Sequence, residues 1–197
     1  MIFLEESRAA YSAKAPIAVL DANVLFPNYV RDTLLSIAQT KLYFPKWSPR
    51  IEQEWTENLL SKYPTLKKEQ ITRTVQKMNR AFSDAQVEGG GHLPEGFFLP
   101  DENDHHVVAT AIAARARYII TFNLKDFPRS AMEKTSISAI HPDKFLVQLY
   151  NKSPDTVAAG LRAMIRRYQN PPLDFQGLSQ VLRVSNLKEF AHCVSKL

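Results

Sequence analysis

Tyr118-Ile119-Ile120-Thr121-Phe122-Asn123-Leu124-Lys125-Asp126-Phe127 decides the fold. Its first five residues, 118–122, form the clearest strand in the chain, a short apolar run bounded by polar residues. An acid follows it within a few residues. The same plan occurs near the start, where Ile17-Ala18-Val19-Leu20 is a short apolar run closed by Asp21. Such runs read as buried parallel strands. Two weaker extended segments, 42–47 (interrupted by Pro45) and 136–140, complete the set. Helical patterns lie between them. One covers 29–40, with Val30, Leu34, Leu35, Ile37 and Ala38 as its apolar stripe. A second opens with Ser48 as N-cap and Pro49 at the first helical position, and runs through Ile51, Trp55, Leu59 and Leu60. Others cover 66–82, 107–116 and a segment opened by His141-Pro142-Asp143. Strands alternating with helices predict an α/β sandwich with a mostly parallel sheet.

The remaining stretches are turn-like or irregular. Residues 1–16 form a polar leader ending at Pro16, Glu88-Gly89-Gly90-Gly91-His92 reads as the most flexible stretch, and Phe97-Phe98-Leu99-Pro100 reads as extended. From Asn151 onward strand signals cease. Helical patterns at 154–168, 175–184 and 187–194, broken by Pro171-Pro172, predict a small all-helical appendage. The expected division is therefore a sheet-containing domain, 1–150, and a helical extension, 151–197.

Composition narrows the class. A chain of 197 residues with 45% apolar residues suits one globular domain, or one with an appendage. No apolar run reaches membrane-spanning length. Met1-Ile2-Phe3-Leu4-Glu5-Glu6 turns acidic at once, unlike a signal peptide, and the lone Cys193 has no partner for an internal disulfide. A reducing cytoplasm is the expectation. The net charge of +5 is uneven: residues 151–197 carry 7 Lys/Arg against 3 Asp/Glu. A basic appendage beside an acidic cluster suits a polyanion, and a solvated helix face accounts for the charge equally well. Arg162, Arg166 and Arg167 share a face at helical spacing, and are candidates for gripping RNA phosphates or a protein partner, or for facing only solvent. Tyr168 beside them is a candidate for stacking on a base, or for packing.

Four acids fall where a metal site is assembled from separated parts of an α/β chain. Asp21 closes the first strand, Glu54 lies on a helix, Asp104 opens the helix at 107–116, and Asp126 follows the strand at 118–122. Ligands bind at the carboxyl ends of parallel strands. Hard carboxylate oxygens suit Mg²⁺ or Mn²⁺, the usual ions of phosphodiester cleavage. Each acid also has a structural reading. Asp21 and Asp126 can cap turns, Asp104 can favour a helix N-terminus, and Glu54 can pair with Arg50. Their joint placement carries the functional reading.

Leu20-Asp21-Ala22-Asn23-Val24-Leu25, Trp47-Ser48-Pro49 through Glu54-Trp55, Pro100-Asp101 through Asp104-His105-His106-Val107-Val108-Ala109, and Ile120-Thr121-Phe122-Asn123-Leu124-Lys125-Asp126-Phe127 resemble the PIN-domain family in order and spacing, and within it the VapC-type toxins. His141-Pro142-Asp143-Lys144-Phe145-Leu146 is similar to the end of that domain in a subgroup with a helical C-terminal extension. The resemblance covers roughly residues 15–150. It implies a parallel sheet between helices, Mg²⁺ or Mn²⁺ as cofactor, and endoribonuclease activity on tRNA or ribosomal RNA. It also implies homodimerisation and an antitoxin encoded nearby, the protein partner open to Arg162, Arg166 and Arg167. By motif it implies Asp21, Glu54, Asp104 and Asp126 as the catalytic acids. Asp21 and Asp104 would bind the main ion directly, and Glu54 and Asp126 would complete the site directly or through water. Thr121 would steady the strand edge by hydrogen bonding, and Asn123 stands where some relatives have another acid. Asp101 would reach a second ion only through water. Neither His105 nor His106 is needed as a base.

Two other classes remain open at this level. One is a non-catalytic PIN-fold module that binds RNA or protein, disfavoured by the presence of all four acids. The other is a metal-dependent phosphatase, disfavoured because Asp21-Ala22-Asn23 lacks a second Asp.

Overall fold

A computed structural model describes residues 15–197, so most of the leader lies outside the described residues. Four short strands form one sheet: β1 (Ile17–Leu20), β2 (Phe44–Lys46), β3 (Tyr118–Ile120) and β4 (Ser138–Ile140). Their order is β2-β1-β3-β4 and every pairing is parallel. Ala18, Val19 and Leu20 are successive residues with no exposure, as are Ile119 and Ile120. Successive strand side chains point to opposite faces, so both faces of the central strands are covered. This is the α/β sandwich expected from the sequence.

Parallel strands need crossover connections, and helices supply them. Between β1 and β2 run α1 (Ala22–Leu25) and α2 (Asn28–Ala38). Between β2 and β3 run α3 (Pro49–Lys62), α4 (Lys68–Ala81) and α5 (His105–Ala113), with a 3₁₀ turn, Glu102–Asp104, leading into α5. Ser48 caps α3 as expected, its hydroxyl accepting from the Ile51 N–H at 3.3 Å. A second 3₁₀ turn, Leu124–Asp126, and α6 (Arg129–Met132) join β3 to β4. The α1 and α6 helices are each four residues long, too short for a periodic signal, and they replace the turns expected there.

Two expectations change on inspection. Phe97–Leu99 forms no strand, although Leu99 is fully buried against the core. The glycine run is less free than its composition suggests. Gly91 donates its N–H to the Ala109 carbonyl at 2.8 Å, and a Cβ there would lie 2.5 Å from the Ile112 side chain. Gly91 is therefore a close-approach position against α5.

The tail continues from α7 (Pro142–Lys152) into α8 (Pro154–Ile165), α9 (Phe175–Val184) and α10 (Lys188–Val194). Helix α8 lies along α2, and α9 and α10 form a hairpin whose second helix packs on α7. Val157, Leu161, Leu178, Leu182 and Leu187 are fully buried, so the apolar stripes of the tail are spent on packing. Asp143 on α7 closes this arrangement. Its buried carboxylate accepts from the Glu189 N–H at 3.0 Å and the Phe190 N–H at 2.7 Å, capping α10 from another helix.

The α8–α2 contact is tight enough to make a prediction. A Cβ at Gly160 would sit 2.9 Å from the Ser36 carbonyl oxygen and 3.0 Å from Thr40 Cγ2. The first of these is backbone and cannot rotate away. Gly160→Ala is expected to lower stability by about 1–3 kcal/mol despite the better helix propensity of alanine. Urea denaturation checks it, and an unchanged or higher midpoint means α8 stands off α2.

Candidate active site

The sheet register builds the site. Leu20 pairs with Ile120, so Asp21 and Thr121 leave neighbouring strands side by side. The Asp21 N–H donates to the Ile120 carbonyl at 3.1 Å, which extends the ladder by one bond. Beyond it the side chains take over. Thr121 Oγ1 donates to Asp21 Oδ2 at 2.7 Å. It accepts from the Asn123 N–H at 3.0 Å, which turns the chain away from the sheet and into the 3₁₀ turn. This turn is the physical reason β3 ends at Ile120 rather than at Phe122.

Asp21 is only 5% exposed and serves two purposes. Its Oδ1 accepts from the Ala22 N–H at 2.6 Å and caps α1, so the turn-capping reading holds. Its Oδ2 accepts from Thr121 and, at 2.5 Å, from Asn23 Nδ2. Asn23 also donates to Thr121 Oγ1 at 2.8 Å and accepts from the Phe122 N–H at 3.0 Å. One amide thus ties the ends of β1 and β3 together. Burial pushes the Asp21 carboxyl above the ordinary carboxylate range. The hydrogen bonds from Thr121 and Ala22 pull it back, and the nearby Glu54 charge raises it further.

Helix α3 presents Glu54, Asn58, Ser61 and Lys62 on one face at helical spacing. Together with Asp21, Asn23, Phe26 and Asp104, they line a single open cleft. Glu54 Oε1 receives Arg50 Nε at 3.3 Å and His106 Nε2 at 2.9 Å. The Arg50 pairing suspected from sequence is present, and His106 is an unforeseen second partner.

Asp104 differs from both. It ends the 3₁₀ turn before α5, and its side chain makes no capping hydrogen bond. Asp104 therefore stands at a helix N-terminus, as its structural reading has it, with both carboxylate oxygens free of a capping bond. Its carboxyl is pushed up to about 6, first by burial and then by the charges of Asp21, Asp101 and Asp126. Asp126 lies outside the cleft wall, where Asn123 Nδ2 donates to it, and it reaches Asp104 only through its field.

Hard carboxylate oxygens facing one cleft, with one acid unbonded and repelled by three others, fit a divalent ion in their chemistry. Among the described residues, however, no three His, Cys, Asp or Glu side chains already close around one point. Glu54 is turned to Arg50 and His106, so a tight ligand set calls for side-chain rearrangement.

The candidate arginines separate. Arg162 and Arg166 are exposed, whereas Arg167 Nη2 donates to Ser36 Oγ at 2.7 Å and helps hold α8 on α2. Tyr168 is used for packing. Its hydroxyl donates to Asp32 Oδ2 at 2.6 Å and its ring stacks on Tyr29 at 5.5 Å. Sequence reasoning also missed Asn23 as a structural tie. For Asn58, Ser61 and Lys62 the available signal was the i+4, i+7 and i+8 spacing from Glu54.

A family model described as the VapC50 C-terminal domain matches residues 142–196. A Mycobacterium tuberculosis protein named "Putative ribonuclease VapC50" is 37% identical over 79 residues. That match spans 40% of this chain and 47% of the relative, about half its length. No solved structure matches the chain.

Proposed function

Taking the chain as a VapC-type PIN-domain protein, which its parallel-sheet fold and both matches support, we propose that it is a metal-dependent endoribonuclease. We assign it as the toxin of a type II toxin–antitoxin pair. The observation that carries this reading is the cleft lined by Asp21, Glu54 and Asp104 at the carboxyl edge of the sheet. Such crowding is costly unless positive charge is brought in. The relative's name supplies the class of reaction, RNA cleavage.

Mg²⁺ or Mn²⁺ held by Asp21 and Asp104, with Asp126 and Glu54 completing the set, would supply an activated water and stabilise charge developing on the phosphate. The chain's own residues do the positioning. Thr121 and Asn23 fix the Asp21 carboxylate so that one oxygen keeps a constant direction. His106 and Arg50 hold Glu54 at the opposite wall. Asn123 restrains Asp126. Lys62, the one lysine or arginine lining the cleft among the described residues, stands where a substrate phosphate gains a counter-charge.

The experiment has two parts. Purified protein is incubated with total RNA with and without Mg²⁺ or Mn²⁺, and the chain is expressed with and without the small gene beside its own. Ion-dependent cleavage and growth arrest relieved by the neighbouring gene are expected. Absence of cleavage with either ion, together with normal growth in a host lacking that gene, overturns the assignment. Among the described residues no helix is long and apolar enough to cross a membrane.

A further inference from the structure

We propose that a groove leading from the acidic cleft along α3 and α4 is the path of the single-stranded RNA flanking the scissile phosphate, with Phe26 and Tyr63 as its base-stacking platform. This deepens the ribonuclease reading and rests on it. Three neighbouring concavities share their walls. The acidic cleft shares Phe26 and Lys62 with a second concavity, which also holds Tyr63. The second shares Arg31 and Thr74 with a third, which also holds Lys77 and Arg167. The three concavities thus lie side by side between Asp104 and Arg167.

Its chemistry suits a nucleic-acid strand. The Phe26 and Tyr63 rings are nearly parallel, 22° apart, with centroids 6.4 Å from each other. Tyr63 is 47% exposed, so its ring is accessible. The Lys62 ammonium stands 5.2 Å from the Phe26 ring centre and 5.8 Å from that of Tyr63. Aromatic faces beside a cation are what sequence-tolerant strand binding uses: bases stack, and lysine meets the backbone. Charge points the same way. Among the described residues no acid lines the middle concavity. In the third, Asp32 is engaged by the Tyr168 hydroxyl at 2.6 Å and by Arg31 at 3.6 Å. Lys62, Lys77 and Arg167 are left to set the field along the groove. An acidic cleft by itself repels RNA, so attraction from its flank is needed to bring a phosphate in.

The test uses the full chain and a fluorescein-labelled 12-nucleotide RNA of mixed sequence, in EDTA so that binding is read without ion-dependent cleavage. Fluorescence anisotropy is followed over a salt series. Tyr63→Ala is expected to weaken binding roughly 5- to 100-fold, while Tyr63→Phe, which keeps the ring, stays within about twofold of wild type. Lys77→Ala is expected to reduce the slope of log K against log salt by about 0.7. Wild-type binding and cleavage of RNA with both alanine variants binding equally well overturns the path and leaves the ribonuclease reading standing. Loss of antitoxin binding in Tyr63→Ala with RNA binding unchanged also overturns it, and marks the groove as a peptide site. A wild-type chain that neither binds nor cleaves any RNA removes the ribonuclease reading itself.

Discussion

Asp104→Asn is expected to reduce RNA cleavage at least about 100-fold while leaving the chain folded and, without divalent ions, more stable than wild type. Loss of partners that merely orient ligands already costs about 10- to 100-fold, and an acid in the cleft should cost no less. The stability gain follows from the raised carboxyl. The Asp104 value in the folded chain is about 6, against 3.8 for the free side chain. The ionised form is therefore disfavoured by folding. This group's contribution to stability is complete below about pH 4 and is lost as pH rises through 6. After discounting for solvent screening of a half-buried group, the difference at pH 7.5 is about 1 kcal/mol. In EDTA, Asp104→Asn should melt about 2–4 °C above wild type at pH 7.5, with the gap closing near pH 4.5. Wild-type cleavage by this variant defeats the catalytic assignment, and a pH-independent gap defeats the electrostatic one.

Asp21→Asn should abolish cleavage equally but behave differently in melting. Asp21 accepts three hydrogen bonds through two oxygens. An asparagine has one acceptor oxygen, and its amide would face the Asn23 amide or the Ala22 N–H. The relief of repulsion is then offset by unsatisfied donors, at about 1–3 kcal/mol for each buried group. Removing charge stabilises only where the acid stands unbonded, as Asp104 does.

The second large effect concerns Asp143→Ala, which should lower stability by about 2–4 kcal/mol. Its carboxylate holds two N–H groups at the start of α10, and the Phe190 N–H is buried. Leu187, at the N-cap position, supplies no side-chain bond, so there is no local substitute. Hydrogen bonds to charged groups contribute about 1.5–3 kcal/mol each, and losing a cap costs about 1. Asp143→Asn keeps one acceptor and should recover part of the loss. Melting of the purified variants, read by circular dichroism, decides the matter. A wild-type midpoint for Asp143→Ala means that α10 is held by its apolar face alone.

The sequence was most legible where chemistry is local. The runs ending at Leu20 and Ile120 announced strands, and parallel strands carry their carboxyl ends to one edge, so Asp21 and Thr121 were bound to be neighbours once both strands shared a sheet. Ser48-Pro49 announced the start of α3 because cap and first-turn preferences are short-range. What depends on distant pairing was hidden. The Asn23 ties to Thr121 and Phe122 span 98 and 99 residues, and no local pattern reports them. The His106–Glu54 pair needs the relative placement of α3 and α5, which neither helix encodes. Of the two readings open for Tyr168, stacking on a base or packing, packing holds, and its partners Tyr29 and Asp32 lie on a helix more than 130 residues earlier.

The Thr121–Asp21 bond closes a loop of 100 residues. Chains emerge from the ribosome at about 5–20 residues per second, so roughly 5–20 seconds separate the synthesis of the two halves of the site. Until β3 arrives, β1 lacks the neighbour that orients Asp21, and a nascent or truncated chain ending before it carries the first acid without the geometry that makes it useful. As long as the second of these strands is unmade, the site of the proposed ribonuclease stays incomplete.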